Sequence, residues 1–516
     1  MRTTPKRPAA AITLLLLAGC TVGPDFHSPD NDAPAGWFSS SAPARKASVL
    51  VNEPVDPQWW ALFNDPELTD LETRVATANL DVRTAVVRIA EARAQRGVVA
   101  SDQYPQLNGN ASYTREKPSN QGVFTAFGGS SATSTPGTSA NGTGFGAGGI
   151  PSAGIPPFDI YQYGLDATWE IDLWGKVRRS VESADASIVQ SDEAARSALV
   201  SALAEVARDY IQLRGQQETL RITQANLGTA QQSVTLTRQR AAGGISTDLD
   251  VANAQAQVDS IAAQIPLLEQ QIAASINAIS LLLGEPPQAL RAELEPKKPV
   301  PPVPPRVPIG VPAELARRRP DIRQAEAKLH SATADIGVAT ADFYPQVSLT
   351  GSFGIQAIQA KDLFNIAARQ YALGPTITLP IFQGGRITSQ VELRKADQQE
   401  AAIAYAQTVL QAFHDVDNAM TAYQTEQRRR DQLAAAVQNS SRALSLAQQQ
   451  YTAGVTDFLQ VLDAQRTLLQ AQQQLSDSTA NVSTNLVALY KALGGGWETS
   501  MPQPAVAADA APAKPS

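Results

Sequence analysis

Two stretches of this chain are written alike. GISTDLDVANAQ (Gly244–Gln255) and GVTDFLQVLDAQ (Gly454–Gln465) align without gaps at an offset of 210 residues, and the same offset pairs Leu283 and Gly284 with Leu493 and Gly494. Earlier in each half the offset is 240: LDVRTA (Leu80–Ala85) matches PDIRQA (Pro320–Ala325), and VVASDQYPQL (Val98–Leu107) matches VATADFYPQV (Val338–Val347). A chain that repeats itself in this order must fold as two copies of one unit. The change of offset places about thirty extra residues in the first half. They fall in the Gly/Ser/Thr-rich stretch between Pro118 and Pro157, which reads as a long loop. The halves are joined by EPKKPVPPVPPRVPIG, a proline-stiffened linker.

A second periodicity fixes what each copy contains. Leu199, Val206, Leu213, Leu220, Leu227 and Val234 recur every seven residues, and Val409, Val416, Tyr423, Val437 and Leu444 repeat the series 210 residues on, with Arg430 as the one break. Val251, Val258, Ile265, Ile272 and Ile279 match Val461, Leu468, Leu475, Val482 and Leu489 in the same way. A sustained period of seven means coiled-coil packing, because the seam must meet its neighbour every two turns. Outside the seam the helices are Ala, Gln and Ser, so they form a thin wall with a wet face. The outgoing helix, from Lys176 to Ala242, spans roughly 100 Å. Pro266 interrupts the return seam and is a candidate kink.

A third pattern has period two. In YQYGLDATWEIDLW (Tyr161–Trp174) the apolar residues alternate with Gln162, Gly164, Asp166, Thr168, Glu170 and Asp172. VSLTGSFGI (Val347–Ile355), YALGPTITLPI (Tyr371–Ile381) and, most weakly, LNGNASYT (Leu107–Thr114) do the same, so each half supplies two strands. A soluble sandwich is the ordinary home for such strands. The N-terminus points elsewhere. Arg2, Lys6 and Arg7 precede the apolar run Ala9–Ala18, ten residues long and too short to span a bilayer. Leu17-Ala18-Gly19 leads into Cys20 and resembles a bacterial lipobox, in which the sulfur is acylated and Cys20 becomes the mature N-terminus. With Cys20 the chain's only cysteine, no internal disulfide and no Cys-based zinc site can form.

Removing residues 1–19 takes three cations from a chain of net charge −7, leaving −10. That balance excludes nucleic acid as a partner, which needs a basic face. No second apolar run approaches membrane-helix length, so a crossing must be made by strands. Four strands cannot close a barrel. A dimer would give eight and a filled interior, whereas a trimer gives twelve and a lumen. The expected fold is therefore an α+β membrane protein: a long α-helical coiled-coil tunnel, plus four β-strands per subunit in a trimeric 12-stranded outer-membrane barrel. Tyr161, Tyr163, Trp169, Trp174, Tyr371 and Phe382 are candidates for its aromatic belts. The expected organisation is signal peptide 1–19, lipidated extension 20–65, first repeat 66–284, Pro-rich linker 285–312, second repeat 313–494 and disordered tail 495–516.

The motifs CTVGPDF, WWALFNDPELTDL (Trp59–Leu71), WEIDLWGKVRR (Trp169–Arg179), LPIFQGGRI (Leu379–Ile387), VLDAQR (Val461–Arg466) and LYKALGGGW (Leu489–Trp497) resemble those of TolC-like outer-membrane efflux proteins. They are most similar to the lipoprotein branch that serves resistance-nodulation-division pumps. The resemblance implies a homotrimer in outer-membrane lipid, a periplasmic adaptor protein and an inner-membrane pump of that class. It implies an exit duct for small toxic compounds, with no catalytic activity. A tunnel of this family closes near the turn between the long helix and its return partner. Here those turns are AAGGISTDLD and TAGVTDFLQVLD. Gly243, Gly244 and Gly454 permit the reversal, and Ser246 or Thr247 and Thr456 can cap the returning helix. Asp248, Asp250, Asp457 and Asp463 are gate candidates, because three-fold symmetry turns each into a ring. Asp463 matches a family aperture position best, while Gln460 stands where its partner aspartate is expected. An ordinary helix-dipole role explains each Asp equally well. Gly243, Gly244, Thr247, Gly454, Val455 and Thr456 are the adaptor-contact candidates.

Catalytic motifs are weak. His27, His330 and His414 are scattered, so no metal or cofactor site is expected. Gly144–Gly149 spells GxGxxG but runs into Pro151 rather than a helix. Arg317–Arg319 and Arg428–Arg430 read as solvated helix surface. Two other readings stay open: the same duct serving protein or peptide secretion, and a non-conducting coiled-coil envelope lipoprotein.

Overall fold

The computed structural model describes residues 21–29, 34, 36–37, 48–117 and 157–501. Cys20 with its leader, the GxGxxG stretch, the 118–156 segment and residues 502–516 lie outside the described residues. Two units are distinguished. One is built from Gly97–Val181 and Asp335–Leu393 with the segment ending at Pro24; the other comprises Asp25–Arg96, Glu182–Ala334 and Arg394 onward.

The first unit holds a four-stranded antiparallel sheet. Its strands are β2 (Gln106–Glu116), β3 (Phe158–Ile171), β5 (Gln346–Ala357) and β6 (Arg369–Thr378), in the order β2-β3-β5-β6. All four expected strands are present. β6 ends three residues before Ile381, and Leu173 and Trp174 fall past the end of β3. The two hairpins share one register: Gln106 lies opposite Thr168 in the first, and Gln346 opposite Thr378 in the second. These pairs are related by the offsets of 240 and 210 read from the sequence. Along most of each strand the odd-numbered residues carry the apolar side chains, so one face is apolar and the other polar or small; the pattern breaks at one end of the sheet, where Arg115, Asp159 and Arg369 are odd-numbered and Phe158 and Ile160 even-numbered. Where β3 meets β5, Gly164 lies opposite Gly354. A Cβ on either would sit within 2.8 Å of the other strand's carbonyl, so neither position admits a side chain.

The second unit is mainly helical; in chain order the shorter helices outside the return arms are α1 (Pro66–Ala78), α2 (Leu80–Ser101), α6 (Arg291–Leu294), α7 (Pro312–Arg318) and α8 (Pro320–Ala341). The long helices α3 (Lys176–Ala242) and α9 (Arg386–Thr452) have 67 residues each. The heptad seam of α3 is buried at Leu199, Leu203, Val206, Tyr210 and Leu213, against Val416, Tyr423, Leu486 and Tyr490. The return arms differ. In the second repeat, α10 (Phe458–Ala492) is one unbroken helix. In the first, the arm splits into α4 (Asp248–Ala262) and α5 (Gln264–Leu282). Pro266 supplies the cause. It has no N–H to give the carbonyl four residues back, and the helix breaks one turn upstream. Its counterpart 210 residues on is Ser476, whose hydroxyl is within 3.1 Å of that of Thr219.

The linker is more than a stiff spacer. β1 (Val49–Val51) pairs in parallel with β4 (Arg306–Pro308), which lies inside the proline-rich stretch. Linker carbonyls also accept buried donors: Arg214 Nη1 reaches Pro296 O at 2.8 Å, and Ser483 Oγ reaches Pro301 O at 3.0 Å. Proline-rich backbone has few N–H groups, so its carbonyls are left for side chains to satisfy. Arg214 is fully buried, 2.5 Å from Glu67, which also pairs with Lys298 at 2.6 Å.

One reading of the arginine runs is corrected. Arg319 is buried rather than solvated, paired with Asp321 and Asp415, and it donates to Ala492 O at 3.0 Å. It closes the C-terminal end of α10, where unpaired carbonyls need a donor. Trp497, just beyond, lies under the guanidinium groups of Arg196 and Arg323 at 4.6 and 5.6 Å. Among the described residues no helix is long and apolar enough to cross a membrane.

Candidate functional site

The expected site residues gather at two places: the turns that join each long helix to its return arm, and the sheet. The turns come first, since they carry most of the candidates.

α3 ends in a Schellman closure. Gly244 sits at φ +75°, its N–H bonds to Ala241 O at 2.9 Å, and the Ile245 N–H bonds to Arg240 O at 2.9 Å. α9 ends identically. Gly454 has φ +79°, with Gly454 N to Tyr451 O at 3.0 Å and Val455 N to Gln450 O at 2.9 Å. Each glycine is needed for its left-handed backbone, not for space, since nothing lies within 4 Å of an added Cβ. Gly243 keeps an ordinary φ.

The returning helices are capped in two different ways. Thr247 caps α4 in a reciprocal box with Asp250: the Asp250 N–H donates to Thr247 Oγ1 at 3.2 Å, and the Thr247 N–H donates to Asp250 Oδ2 at 3.0 Å. In the second turn the cap is Asp457, which accepts from the Gln460 N–H at 3.3 Å. Thr456 does not cap, contrary to the sequence reading, because a carboxylate one residue later takes the position. Asp250 and Asp457 are thus engaged in their own turns. Asp248 and Asp463 are exposed.

The two turns touch each other. Ser246 Oγ and Tyr451 Oη are 2.9 Å apart. Arg240 stacks over the Tyr451 ring at 4.6 Å and donates to Thr452 O at 3.0 Å. Further along, Arg466 Nε donates to Gln257 Oε1 at 2.8 Å and Gln465 Nε2 to Ser233 Oγ at 2.7 Å. Beneath, Tyr451, Phe458, Val461 and Leu462 form a small apolar cluster. The tips are therefore bound by polar side chains over a thin core.

The outer surface of the tips holds Val455, already an adaptor-contact candidate, and three further residues that the sequence reading missed, Ile245, Leu249 and Leu459. Ile245 and Leu249 are each 68% exposed, and Val455 and Leu459 are 76% and 60% exposed. The second pair lies 210 residues after the first, so both tips present the same apolar pair four residues apart. The available signal was their position off the heptad seam, where an apolar residue has no partner inside the bundle.

On the sheet, Tyr161, Tyr163, Trp169 and Tyr371 occupy the apolar face. Tyr161 and Trp169 are eight residues apart, roughly 26 Å along the strand, close to the ~25 Å height of a membrane-barrel apolar band. Tyr163 donates to Leu363 O at 3.0 Å and Trp169 to Gln103 O at 3.0 Å. Trp174 lies past the strand end, donating to Pro345 O at 2.8 Å and stacked on Tyr344. Phe382 lies past the end of β6 and is 89% exposed. Among the described residues no group of three or more metal-ligating side chains occurs.

Comparison with known proteins adds the family. Residues 73–285 and 311–495 match the profile described as outer membrane efflux protein. The solvent efflux pump outer membrane protein SrpC of Pseudomonas putida is 31% identical over 488 residues, covering 94% of this chain and 97% of that one. Outer membrane protein OprJ of Pseudomonas aeruginosa is 32% identical over 498 residues, covering 96% and 97%. The structure of the outer-membrane channel OprN superposes with a TM-score of 0.82 at 34% identity, covering 93% of this chain and all of that one.

Proposed function

Because the chain belongs to the outer membrane efflux protein family, we propose that it is the outer-membrane duct of a tripartite efflux system. Three copies surround one bore. Small toxic compounds arrive from an inner-membrane pump of the resistance-nodulation-division class, through a periplasmic adaptor. The duct does no chemistry: it supplies a lumen, a closable end and a docking rim, and the pump supplies the energy.

The observation that carries this reading is the repeated apolar pair at the helical tips, Ile245/Leu249 and Val455/Leu459. Exposed apolar residues at equivalent places on two hairpins suit a protein partner that reads both alike. The adaptor contact is assigned to these residues together with Gly243, Gly244, Thr247, Gly454, Val455 and Thr456. Of the gate candidates, Asp463 and Asp248 suit a ring at the closed end best, since Asp250 and Asp457 already accept hydrogen bonds in their own turns. Cys20 is the acylated anchor, and the two repeats are 66–284 and 313–494.

Purified protein reconstituted in a planar bilayer should give discrete conductance steps, and deleting its gene should sensitise cells to several unrelated compounds. A bilayer that stays silent at all voltages, with protein incorporated, would refute the duct. Cysteines introduced at Gly454 or Thr456 should crosslink to the adaptor, and the adaptor's identity separates drug export from protein or peptide secretion.

A further inference from the structure

The sheet has two open edges. Every residue of β2 is exposed, and every residue of β6 but one. Long bare edges of this kind must be covered. The trimer reading given above covers them with a second copy, β6 of one subunit against β2 of the next. The strands alternate in direction through the sheet, so this new contact is antiparallel like the rest. That much leaves the register free. A slip by two residues keeps every side chain on its face, so patterning alone cannot choose between such registers.

The internal repeat can choose. β6 is the copy of β3 at offset 210, and β2 is the copy of β5 at offset 240. The contact between β3 and β5 within one chain is therefore the template for the contact between β6 and the neighbour's β2. In that template Tyr161 faces Ala357 and Ile171 faces Val347. We propose that the subunit seam copies this register, placing Ile377 opposite Ala111 of the adjoining copy and Thr376 opposite Ser112.

Three features of the single chain agree. First, the apolar face continues across the seam with bulk set against small residues: Ile377 meets Ala111 and Leu379 meets Gly109. Second, the polar face also continues, with Thr378 meeting Asn110. Third, the register explains why β6 stops early. β3 runs to Ile171 because Val347 pairs with it. The counterpart of Ile171 is Ile381, which has no strand partner in one chain and is 90% exposed. In the seam Ile381 faces Leu107, and β6 lengthens to the full Tyr371–Ile381 run that its alternation announces.

Disulfide trapping in membranes tests this on the full-length protein. The double variants T376C/S112C and I377C/A111C place one pair on each face. One of the two is the closer, non-hydrogen-bonded kind, and both kinds fall within disulfide reach. Mild oxidation should convert at least one of them into covalent dimers and trimers that dithiothreitol dissolves, while each single-cysteine variant stays monomeric in SDS. The slipped pairs T376C/N110C and T376C/T114C should link at least tenfold less. Stronger linkage in a slipped pair overturns the register. So does a trimer of native mass in which neither in-register pair links. Absence of any trimer by native mass measurement removes the assembly itself, and the two failures are thereby told apart.

Discussion

Replacing Arg214 with Met tests whether the helical unit is held by its buried charge cluster. The guanidinium is fully buried, pairs with Glu67 at 2.5 Å, and donates to Gln217 Oε1 at 2.7 Å and Pro296 O at 2.8 Å. Breaking a buried pair from one side costs about 3–5 kcal/mol. The lower end applies, because Lys298 still holds Glu67. The orphaned acceptors of Gln217 and Pro296 add about 1 kcal/mol each. Leu294 O keeps its bond from Gln217 Nε2 and adds nothing. Methionine returns about 1 kcal/mol in apolar contact. The net is about 4 kcal/mol. At a urea slope of roughly 3 kcal/mol per M, the midpoint should fall by about 1.3 M. The assay is pulse proteolysis of the detergent-extracted protein across a urea series. With Glu67→Gln added, the double variant should lose about 2 kcal/mol less than the sum of the two singles, since both singles break the same ion pair. A midpoint for R214M within about 0.3 M of the parent, or a double variant worse than the sum of the singles, would refute the reasoning.

Pro266→Ser should join α4 to α5 into one helix like α10, seen as slowed hydrogen exchange around Ala263, whereas Ser476→Pro should break α10 at a cost of about 3 kcal/mol or more. Glu72 is fully buried with neither carboxylate oxygen hydrogen-bonded, and burial pushes its pKa well above the ordinary carboxylate range. Its stabilising contribution is thus complete below the unfolded value of about 4.3 and is lost as pH rises through the raised folded value. Glu72→Gln should leave the urea midpoint unchanged at pH 4 and raise it at pH 8; an equal shift at both would discard the account. Ile245→Asp with Val455→Asp should alter stability by no more than about 0.5 kcal/mol yet reduce adaptor capture at least tenfold in a pull-down.

Much of this fold was legible because it is periodic. A seam every seven residues announces α3 and α9, and alternation announces the sheet, since burial on one face leaves no other economical pattern. The offsets went further, for once one hairpin's register is known they map it onto the other residue by residue. What escaped was aperiodic. The pairing of β1 with β4 joins three-residue strands across more than two hundred residues, and nothing local signals it. Arg319 reads like its neighbours Arg317 and Arg318, yet is buried because the C-terminus of α10 arrives beside it. The capping of α10 passed from Thr456 to Asp457 through a one-residue choice between two competent side chains. At the tips, Ile245 and Leu249 were overlooked because the reading followed glycines and carboxylates, the residues with special backbone or charge. The partner-facing signal was an apolar pair standing apart from the seam.

The two β-hairpins share a register although their connections differ greatly in length. Lys117–Pro157 joins β2 to β3, and Ile358–Ala368 joins β5 to β6. Thirty residues more or less at that point do not shift one cross-strand pair. The first hairpin is thus a natural splice point, where a foreign peptide, a tag or a binding loop can be carried as cargo while strand order and subunit closure proceed as though nothing had been inserted.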